Sequence, residues 1–442
     1  MAERSELVES LLQRFPDLPP EAIYKEDLLR GGVRFSEDAL RIASGYKPKA
    51  YFIFSFDMVP IAEMENRENF RVPEEICLRG GARDFRRTIV SVRINPRSPY
   101  CVELDGEGRL ILSLEGREVC GVEFQSYPEY YRRELSSGKP VTDICPTIEW
   151  GYLLYLTVFR KCQYFGRKVE CQFCDINENY RQQKKSGRSY TGVKSVEEVL
   201  EALSIIADTD SDSRAYTVTG GSITHSLQGK DEVGFYLQYP KAIEKRFPGR
   251  WISKVVVQAQ PKEGVQRFKE AGVQIYHPNY EVWDRRLFET LCAGKADYIG
   301  RDQWIRRILD AGQVFGTSNV IPNFVAGIEM SRPHGFREVE EAIESTSQGL
   351  EFFMSRGIAP RFTTWCPEPT SVLGRANPGG APLEYHVRLT RAWRDIHEKY
   401  GLPAPPGYGK PGIGNAVFSV SSFMDVIRSA PDPAPSEARA AC

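Results

Sequence analysis

The sequence predicts an α/β fold: a partial (β/α)6 barrel of the TIM type, with an N-terminal α+β domain and a C-terminal extension. Three observations predict it. Six apolar stretches alternate with amphipathic ones in the middle of the chain, apolar and polar residues alternate with period two before them, and a Pro-, Ala- and charge-rich tail follows. We therefore divide the chain into a first region of 1–147, a second of 148–401 and a third of 402–442.

The first region begins with a helical pattern and then turns to strands. Residues 1–15, MAERSELVESLLQRF, have the pattern of a charged amphipathic helix. Apolar and polar residues alternate over 88–94 and 100–116, as they do in half-buried strands. The D-G-E-G of 105–108 lies inside the second stretch and predicts a β-hairpin turn. These patterns indicate a small α+β domain without a chemical motif.

Six strand–helix units make up the second region. The first strand, 152–159, is a continuous apolar run, typical of a strand buried on both faces. The helix after it opens with a capping box, Ser195 and Glu198. Units of this kind in series predict parallel strands with right-handed crossovers, and six of them fit a partial barrel. The predicted strands are 152–159, 215–221, 254–260, 273–281, 315–329 and 359–369. The predicted helices are 195–209, 233–247, 261–272, 301–312, 336–357 and 383–401.

Charge and hydropathy argue against two classes of partner. The net charge is -1 and the charges of both signs are interspersed, so we expect no nucleic-acid partner. The sequence has no run of about twenty apolar residues, so we expect no membrane span. The N-terminus lacks the apolar core and cleavage site of a secretory signal, and we therefore expect a cytoplasmic location. The end of the third region, 431–442, is predicted to be a flexible tail.

Three of the ten cysteines, Cys162, Cys171 and Cys174, lie close together in the loop after the first barrel strand. Thiolates at this spacing are typical of a soft metal centre. Structural zinc takes four ligands, usually as two separated pairs, and only one close pair is present here. An iron–sulfur cluster held by three thiolates instead has one iron open to another ligand. The other seven are expected to be ordinary thiols: Cys77, Cys101, Cys120, Cys145, Cys292, Cys366 and Cys442.

With these cysteines on a strand-to-helix loop of a parallel barrel, the chain resembles a radical S-adenosylmethionine (radical SAM) enzyme over residues 150–370. The family's usual spacing is C-x3-C-x2-C, whereas this chain has C-x8-C-x2-C. Phe173 occupies the aromatic position before the third cysteine, where family members pack the adenine of SAM. Polar and glycine positions after the later strands also match the family's cofactor contacts. They are Thr219, Gly220, Gly221 and Ser222 after the second strand, Asn279 and Glu281 after the fourth, and Gly327 and Ile328 after the fifth. Ser222 stands where the family's glycine motif has an acidic residue.

The resemblance implies a 4Fe–4S cluster on the three cysteines, with SAM chelating the fourth iron. An external electron donor such as flavodoxin or ferredoxin would reduce the cluster, and SAM would be cleaved to methionine and a 5′-deoxyadenosyl radical. That radical would abstract hydrogen from a small organic substrate in a rearrangement, carbon–carbon bond formation, dehydrogenation or methylation. Such a radical has to be kept from water, so we expect the N-terminal domain and residues 402–425 to cover the barrel.

One alternative stays open on the sequence alone. A zinc-binding protein or zinc hydrolase would combine the three cysteines with one more ligand, and His225, His277 or Cys366 could supply it. The sequence does not assign a catalytic residue. It contains no second cysteine-rich segment near the C-terminus and no Asp-x-His-x-x-Gly segment. We therefore expect neither auxiliary clusters nor cobalamin.

Overall fold

A mixed six-stranded sheet forms the core of the first region in the computed structural model, which describes residues 4–50, 54–60, 72–187, 191–411 and 415–428. Its strand order is β1-β4-β5-β6-β2-β3, and its one parallel pair is β1 with β4. The elements of this region are α1 (Arg4–Arg14), α2 (Pro20–Gly31), β1 (Arg34–Phe35), α3 (Glu37–Ala43), β2 (Glu75–Gly80), β3 (Phe85–Ser91), β4 (Tyr100–Leu104), β5 (Leu110–Leu114), β6 (Arg117–Phe124), α4 (Val141–Ile144) and β7 (Thr147–Ile148).

The predicted hairpin is present between β4 and β5, which pair antiparallel with Leu104 opposite Leu110. Asp105 Oδ1 accepts the backbone N–H groups of Glu107 and Arg109, each at 2.9 Å. Gly108 has a φ of 78°, a left-handed conformation that glycine adopts without a steric penalty. The D-G-E-G segment therefore turns the chain as its residue types predict.

Six parallel strands run in chain order through the second region and confirm the predicted (β/α)6 arrangement. Strands β8 to β11 are neighbours in one sheet, and β12 pairs with β13. Two parallel bridges, Tyr276 with Val320 and Glu281 with Phe324, connect β11 to the β12 side. The strands are β8 (Leu153–Phe159), β9 (Ala215–Gly220), β10 (Ile252–Val257), β11 (Ile275–Pro278), β12 (Asn323–Ala326) and β13 (Arg361–Thr364).

Amphipathic helices cover the outside of these strands. Helix α7 has the predicted capping box, in which Glu198 N–H donates to Ser195 Oγ at 3.1 Å and Ser195 N–H to Glu198 Oε2 at 3.0 Å. Two helices that the sequence did not predict, α10 and α11, lie between β11 and its crossover helix α12. The helices are α5 (Gln163–Gly166), α6 (Ile176–Lys185), α7 (Val196–Thr209), α8 (Glu232–Arg246), α9 (Lys262–Glu270), α10 (Arg285–Leu291), α11 (Ala293–Tyr298), α12 (Arg301–Phe315), α13 (Val339–Met354), α14 (Val372–Ala376) and α15 (Leu383–Lys399).

The C-terminal extension joins the first region to the barrel. It contains the short strands β14 (Gly409–Lys410) and β15 (Asn415–Ala416). Ser91 N–H in β3 donates to Ser419 O, and Thr364 N–H in β13 donates to Val420 O, both at 3.0 Å. A buried ion pair of 2.7 Å joins Lys25 to Asp425. The predicted tail, 431–442, lies outside the described residues.

No helix in the described parts of the chain has the length and apolar character that crossing a membrane requires.

Candidate active site

A cavity of about 240 Å³ lies inside the barrel, and the thiols of Cys162, Cys171 and Cys174 all line it. Cys162 follows the carboxyl end of β8, and the other two come later in the same loop. The fold therefore places the three sequence-predicted ligands where parallel barrels carry their functional residues. In the described residues, no group of three or more His, Cys, Asp or Glu side chains is arranged to hold a single metal ion.

Backbone hydrogen bonds fix the cysteine loop to its neighbours. Cys162 N–H donates to Asn177 Oδ1 of α6 at 2.8 Å. Gln172 N–H donates to Leu291 O at the end of α10 at 2.9 Å, and Cys174 N–H donates to Cys171 O at 3.0 Å. The five residues that lengthen the first gap belong to a segment that contains the short helix α5. The longer spacing is thus accommodated by ordered chain.

Gly221 brings the end of β9 directly against the cysteine loop. A Cβ atom on Gly221 would lie 1.9 Å from Lys161 O and 2.6 Å from both Cα and Cβ of Cys162. A Cβ on Gly220 would lie 2.5 Å from Phe159 O and 2.6 Å from the hydroxyl of Tyr236. Only residues without a side chain allow this approach, so Gly221 lets the chain after β9 lie directly against Cys162.

Burial raises the pKa of two of the three thiols. It raises the pKa of Cys162 to about 11, and it raises the pKa of Cys174 well above the usual value. Metal binds the thiolate form, so a metal centre has to displace the thiol protons as it forms.

A fourth cysteine, Cys292, lies beside Cys171. Burial, and after it the neighbouring Cys171 thiol, raises the pKa of Cys292 well above the usual value for a thiol. Cys292 is completely buried between α10 and α11 and does not line the cavity. It therefore backs Cys171 from the protein interior. This contact was not predictable from the sequence, because Cys292 is 121 positions after Cys171 and lies between two helices that were not predicted.

The structure brings most of the predicted SAM-contact residues to the same cavity. Its lining includes Phe173, Thr219, Gly220, Gly221, Ser222, Asn279 and Glu281. The Oδ1 atom of Asn279 is buried without a hydrogen-bond partner. Glu281 forms a buried ion pair with Lys295, whose Nζ also donates to Asn279 O at 3.2 Å. The roles of these residues toward SAM stay predictions.

Two predicted residues, Gly327 and Ile328, do not line the cavity. Gly327 has a φ of 106° and its N–H donates to Glu329 Oε2 at 2.8 Å. A Cβ atom on Gly327 would contact Ala381 and His386, at 3.2 and 3.3 Å. Their neighbour Val325 lines the cavity. A role of Gly327 and Ile328 beside the adenine stays a prediction.

An acidic residue that the sequence analysis missed lies next to the glycine motif. Glu232, in the first turn of α8, lines the cavity and is buried. Its Oε1 accepts Ile223 N–H at 3.1 Å and the Gln258 side-chain amide at 3.0 Å. Burial raises the pKa of Glu232 to about 7. The sequence alone does not bring Glu232 to the residue after Ser222, because it comes nine positions later than Ile223 in the chain.

The residues proposed as a fourth zinc ligand are dispersed. His225 is exposed and does not line the cavity. His277 lines it, with Nδ1 at 2.9 Å from Ile321 O and Nε2 at 3.4 Å from the Tyr408 hydroxyl. Cys366 also lines it and donates to Phe56 O at 3.3 Å. Both nitrogens of His277 thus have partners within the protein.

Comparisons with known proteins give matches among solved structures only. No protein-family model matches the chain, and no curated protein matches it. Methylornithine synthase (PylB) is 13% identical with a TM-score of 0.39, over 62% of this chain and 76% of that one. Coproporphyrinogen III oxidase (HemN) from Escherichia coli, a radical SAM enzyme, is 9% identical with a TM-score of 0.32, over 57% and 52%. OxsB, a cobalamin-dependent S-adenosylmethionine radical enzyme, is 13% identical with a TM-score of 0.31, over 72% and 44%. The chain therefore spans about half the length of the last two.

Proposed function

We propose that this protein is a radical SAM enzyme that acts on a small organic molecule. The observation that carries the proposal is the convergence of three cysteine thiols on one cavity at the carboxyl ends of six parallel strands. The glycine pair after β9 and the polar residues after β11 meet the thiols there. Three thiol groups, a set of polar residues and an enclosed volume thus lie at one place in the fold.

The donor set fits a 4Fe–4S cluster. Each of its irons needs a terminal ligand, and Cys162, Cys171 and Cys174 would supply three. The fourth corner would then be open to the amino and carboxylate groups of SAM. Such a cluster, once reduced by an external donor such as flavodoxin or ferredoxin, would supply the one electron that cleaves SAM to methionine and the 5′-deoxyadenosyl radical.

The side chains around the thiols have roles that suit SAM. Phe173 would pack against the adenine, since its ring lines the cavity next to Cys174. Glu232 would replace the acid missing at Ser222 and attract the ammonium group. Asn279 Oδ1, which is buried without a partner, would accept a hydrogen bond from the ribose or the amino group. Each of these contacts involves a residue that already faces the cavity.

Residues from outside the barrel close the cavity. Phe54 and Phe56 come from the first region and Phe418 from the C-terminal extension, and all three line it. The rings of Phe54 and Phe56 lie 5.3 Å apart. Aromatic walls of this kind exclude water from a reactive site. This supports the expectation that both outer segments cover the barrel.

Electrons could enter at the outer side of Cys174. Cys174 also lines a second cavity, together with Phe165, Glu178, Arg181 and Arg375. One thiol therefore borders both the interior and a cavity of mixed charge on the other side. We propose this face as the docking place of the external reductant.

The test is anaerobic reconstitution with iron and sulfide, followed by metal analysis and reduction in the presence of SAM. We expect a brown protein with about four irons per chain that releases 5′-deoxyadenosine. Replacing any of Cys162, Cys171 or Cys174 by Ala is expected to abolish both properties. Cys145→Ala is the control, because Cys145 is also a free cysteine but does not line the cavity. A colourless protein with stoichiometric zinc would contradict the proposal.

A further inference from the structure

Three ionisable side chains line the end of the cavity opposite to the cysteine loop: Glu149, Lys254 and Arg361. Glu149 lies just before β8, Lys254 is the third residue of β10, and Arg361 is the first residue of β13. All three therefore come from the amino ends of the parallel strands. We call them the charged floor. Lys254 lies four residues before Gln258, which places the floor about 13 Å below the carboxyl end of the barrel.

The charged floor carries polar atoms without a partner. Glu149 Oε2 and Arg361 Nε are both buried and have no hydrogen-bond partner. The same is true of Thr217 Oγ1 and Asn279 Oδ1, which line the same cavity. Buried polar atoms are nearly always hydrogen-bonded in folded proteins. Asn279 Oδ1 is already proposed to contact SAM, so the atoms that indicate a further polar molecule are those of Glu149, Arg361 and Thr217, the last of which pairs with Lys254 in the sheet.

The carboxyl group of Glu149 is held in place by a strained turn. Glu149 and Trp150 both have a φ of 55°, a left-handed conformation that is unfavourable for residues with a side chain. Their N–H groups donate to the two carboxylate oxygens of Glu75, at 2.6 and 2.8 Å. Strain of this kind persists where the surrounding structure enforces it and is frequent at functional sites. Here a side chain from the first region enforces it.

The two cations are fixed from the other side by the C-terminal extension. Lys254 Nζ donates to Gly407 O at 2.5 Å and lies 4.1 Å from the centre of the Tyr408 ring. Arg361 Nη1 donates to the Tyr408 hydroxyl at 2.9 Å. The partners that hold both cations are thus neutral groups. The guanidinium Nε stays available to a further acceptor.

We propose that the charged floor binds the two charged groups of a small zwitterion, with its carboxylate on Arg361 and Lys254 and its ammonium group on Glu149. Free amino acids are the class of molecule with this chemistry. A zwitterion gives each of the three side chains a group of opposite charge, whereas a neutral molecule gives none and a simple amine leaves both cations without one. As the substrate of the proposed function, such a molecule would point its carbon chain toward the cysteine end. That last point alone depends on the proposed function.

The experiment measures thermal shifts of the reconstituted, SAM-loaded protein with zwitterions added one at a time. The probes are the twenty standard amino acids, ornithine, β-alanine and 4-aminobutyrate. For the strongest binder, the matching amine and the matching carboxylic acid are tested as well. We expect at least one zwitterion to raise the midpoint, and its two singly charged analogues to bind at least tenfold more weakly, as loss of one charged hydrogen bond implies.

Variants test whether the zwitterion that causes the thermal shift binds at the charged floor. Arg361→Gln and Glu149→Gln are each expected to raise the apparent Kd of the zwitterion at least tenfold, whereas the exposed Arg306→Gln and Glu263→Gln leave it unchanged. Circular dichroism of every variant shows that it is folded. The proposal is overturned if none of the zwitterions raises the thermal midpoint. It is also overturned if Arg361→Gln and Glu149→Gln bind the zwitterion as tightly as the wild type does.

Iron content and SAM binding of the wild-type protein are measured in the same samples. If the protein binds neither iron nor SAM, the proposed function is wrong. If it binds both but no zwitterion raises its thermal midpoint, only the proposal for the charged floor is wrong.

Discussion

Replacing Gly221 by Ala tests how the fold positions the first cluster cysteine. The added Cβ would meet Lys161 O at 1.9 Å and the Cα of Cys162 at 2.6 Å. Non-bonded carbon and oxygen atoms need roughly 3.2 Å, so the two chain segments have to move apart by about 1.3 Å. The atoms in contact belong mostly to the backbone and cannot rotate away. Overpacking of this kind costs about 1–3 kcal/mol.

The same displacement moves the Cys162 thiol away from its partners. Metal sites tolerate errors of only about 0.2 Å in ligand distances, so we expect Gly221→Ala to lose most of its iron after reconstitution. Its thermal midpoint without iron should also fall. The assay is iron and sulfide per chain, together with thermal denaturation followed by circular dichroism.

Gly166→Ala is the matched control in the same loop, since a Cβ at Gly166 would have no atom within 4 Å. We expect this variant to bind iron and to denature like the wild type. Wild-type iron content and stability in Gly221→Ala would refute the reasoning that the glycine positions Cys162.

Four further predictions concern other parts of the molecule. Cys292→Ala should retain the full iron content after reconstitution, because Cys292 backs Cys171 without lining the cavity; loss of iron would identify it as a ligand. Lys295→Met leaves Glu281 buried and unpaired, so chemical denaturation should show a loss of about 3–5 kcal/mol, and Lys295→Met with Glu281→Met should recover part of it. Ser195→Ala removes the acceptor of Glu198 N–H and should cost about 1 kcal/mol by the same measurement, with iron content unchanged. Burial raises the pKa of Glu149 from its ordinary 4.5 to about 7, against the opposing effects of Lys254 and Arg361 and with Glu75 adding to the rise. A raised carboxyl pKa means that stability is full below pH 4.5, falls as the pH rises to about 7 and is flat above it. Relative to wild type, Glu149→Gln without ligand should therefore gain up to about 3 kcal/mol at pH 8 and almost nothing at pH 4.5, whereas an equal gain at both would contradict the assignment.

The barrel could be predicted from the sequence because its signals are local. Continuous apolar runs such as 152–159 form strands, and the Ser195–Glu198 capping box starts α7 as its residue types require. Three cysteines in one loop after such a strand also have to lie at one end of the barrel. Local pattern and global fold agree at these positions, which is the usual condition for correct prediction.

The remaining parts of the site depend on contacts across the cavity, which no local pattern encodes. Glu232 comes from the first turn of a helix, where an acidic residue is ordinarily explained by the helix dipole. The turn at Glu149 and Trp150 has left-handed φ angles without a glycine at either position, so the sequence contained no sign of it. The carboxylate of Glu75, which holds this turn, is 74 residues away along the chain. Such residues become visible only in the folded molecule.

The most direct test of the central claim is Mössbauer spectroscopy of protein reconstituted with 57Fe, recorded with and without SAM. Three cysteine ligands leave one iron that differs from the others. The account predicts that SAM shifts the signal of that one iron, about a quarter of the total, and leaves the rest unchanged. A spectrum that SAM does not alter, in protein with a complete cluster, would contradict it.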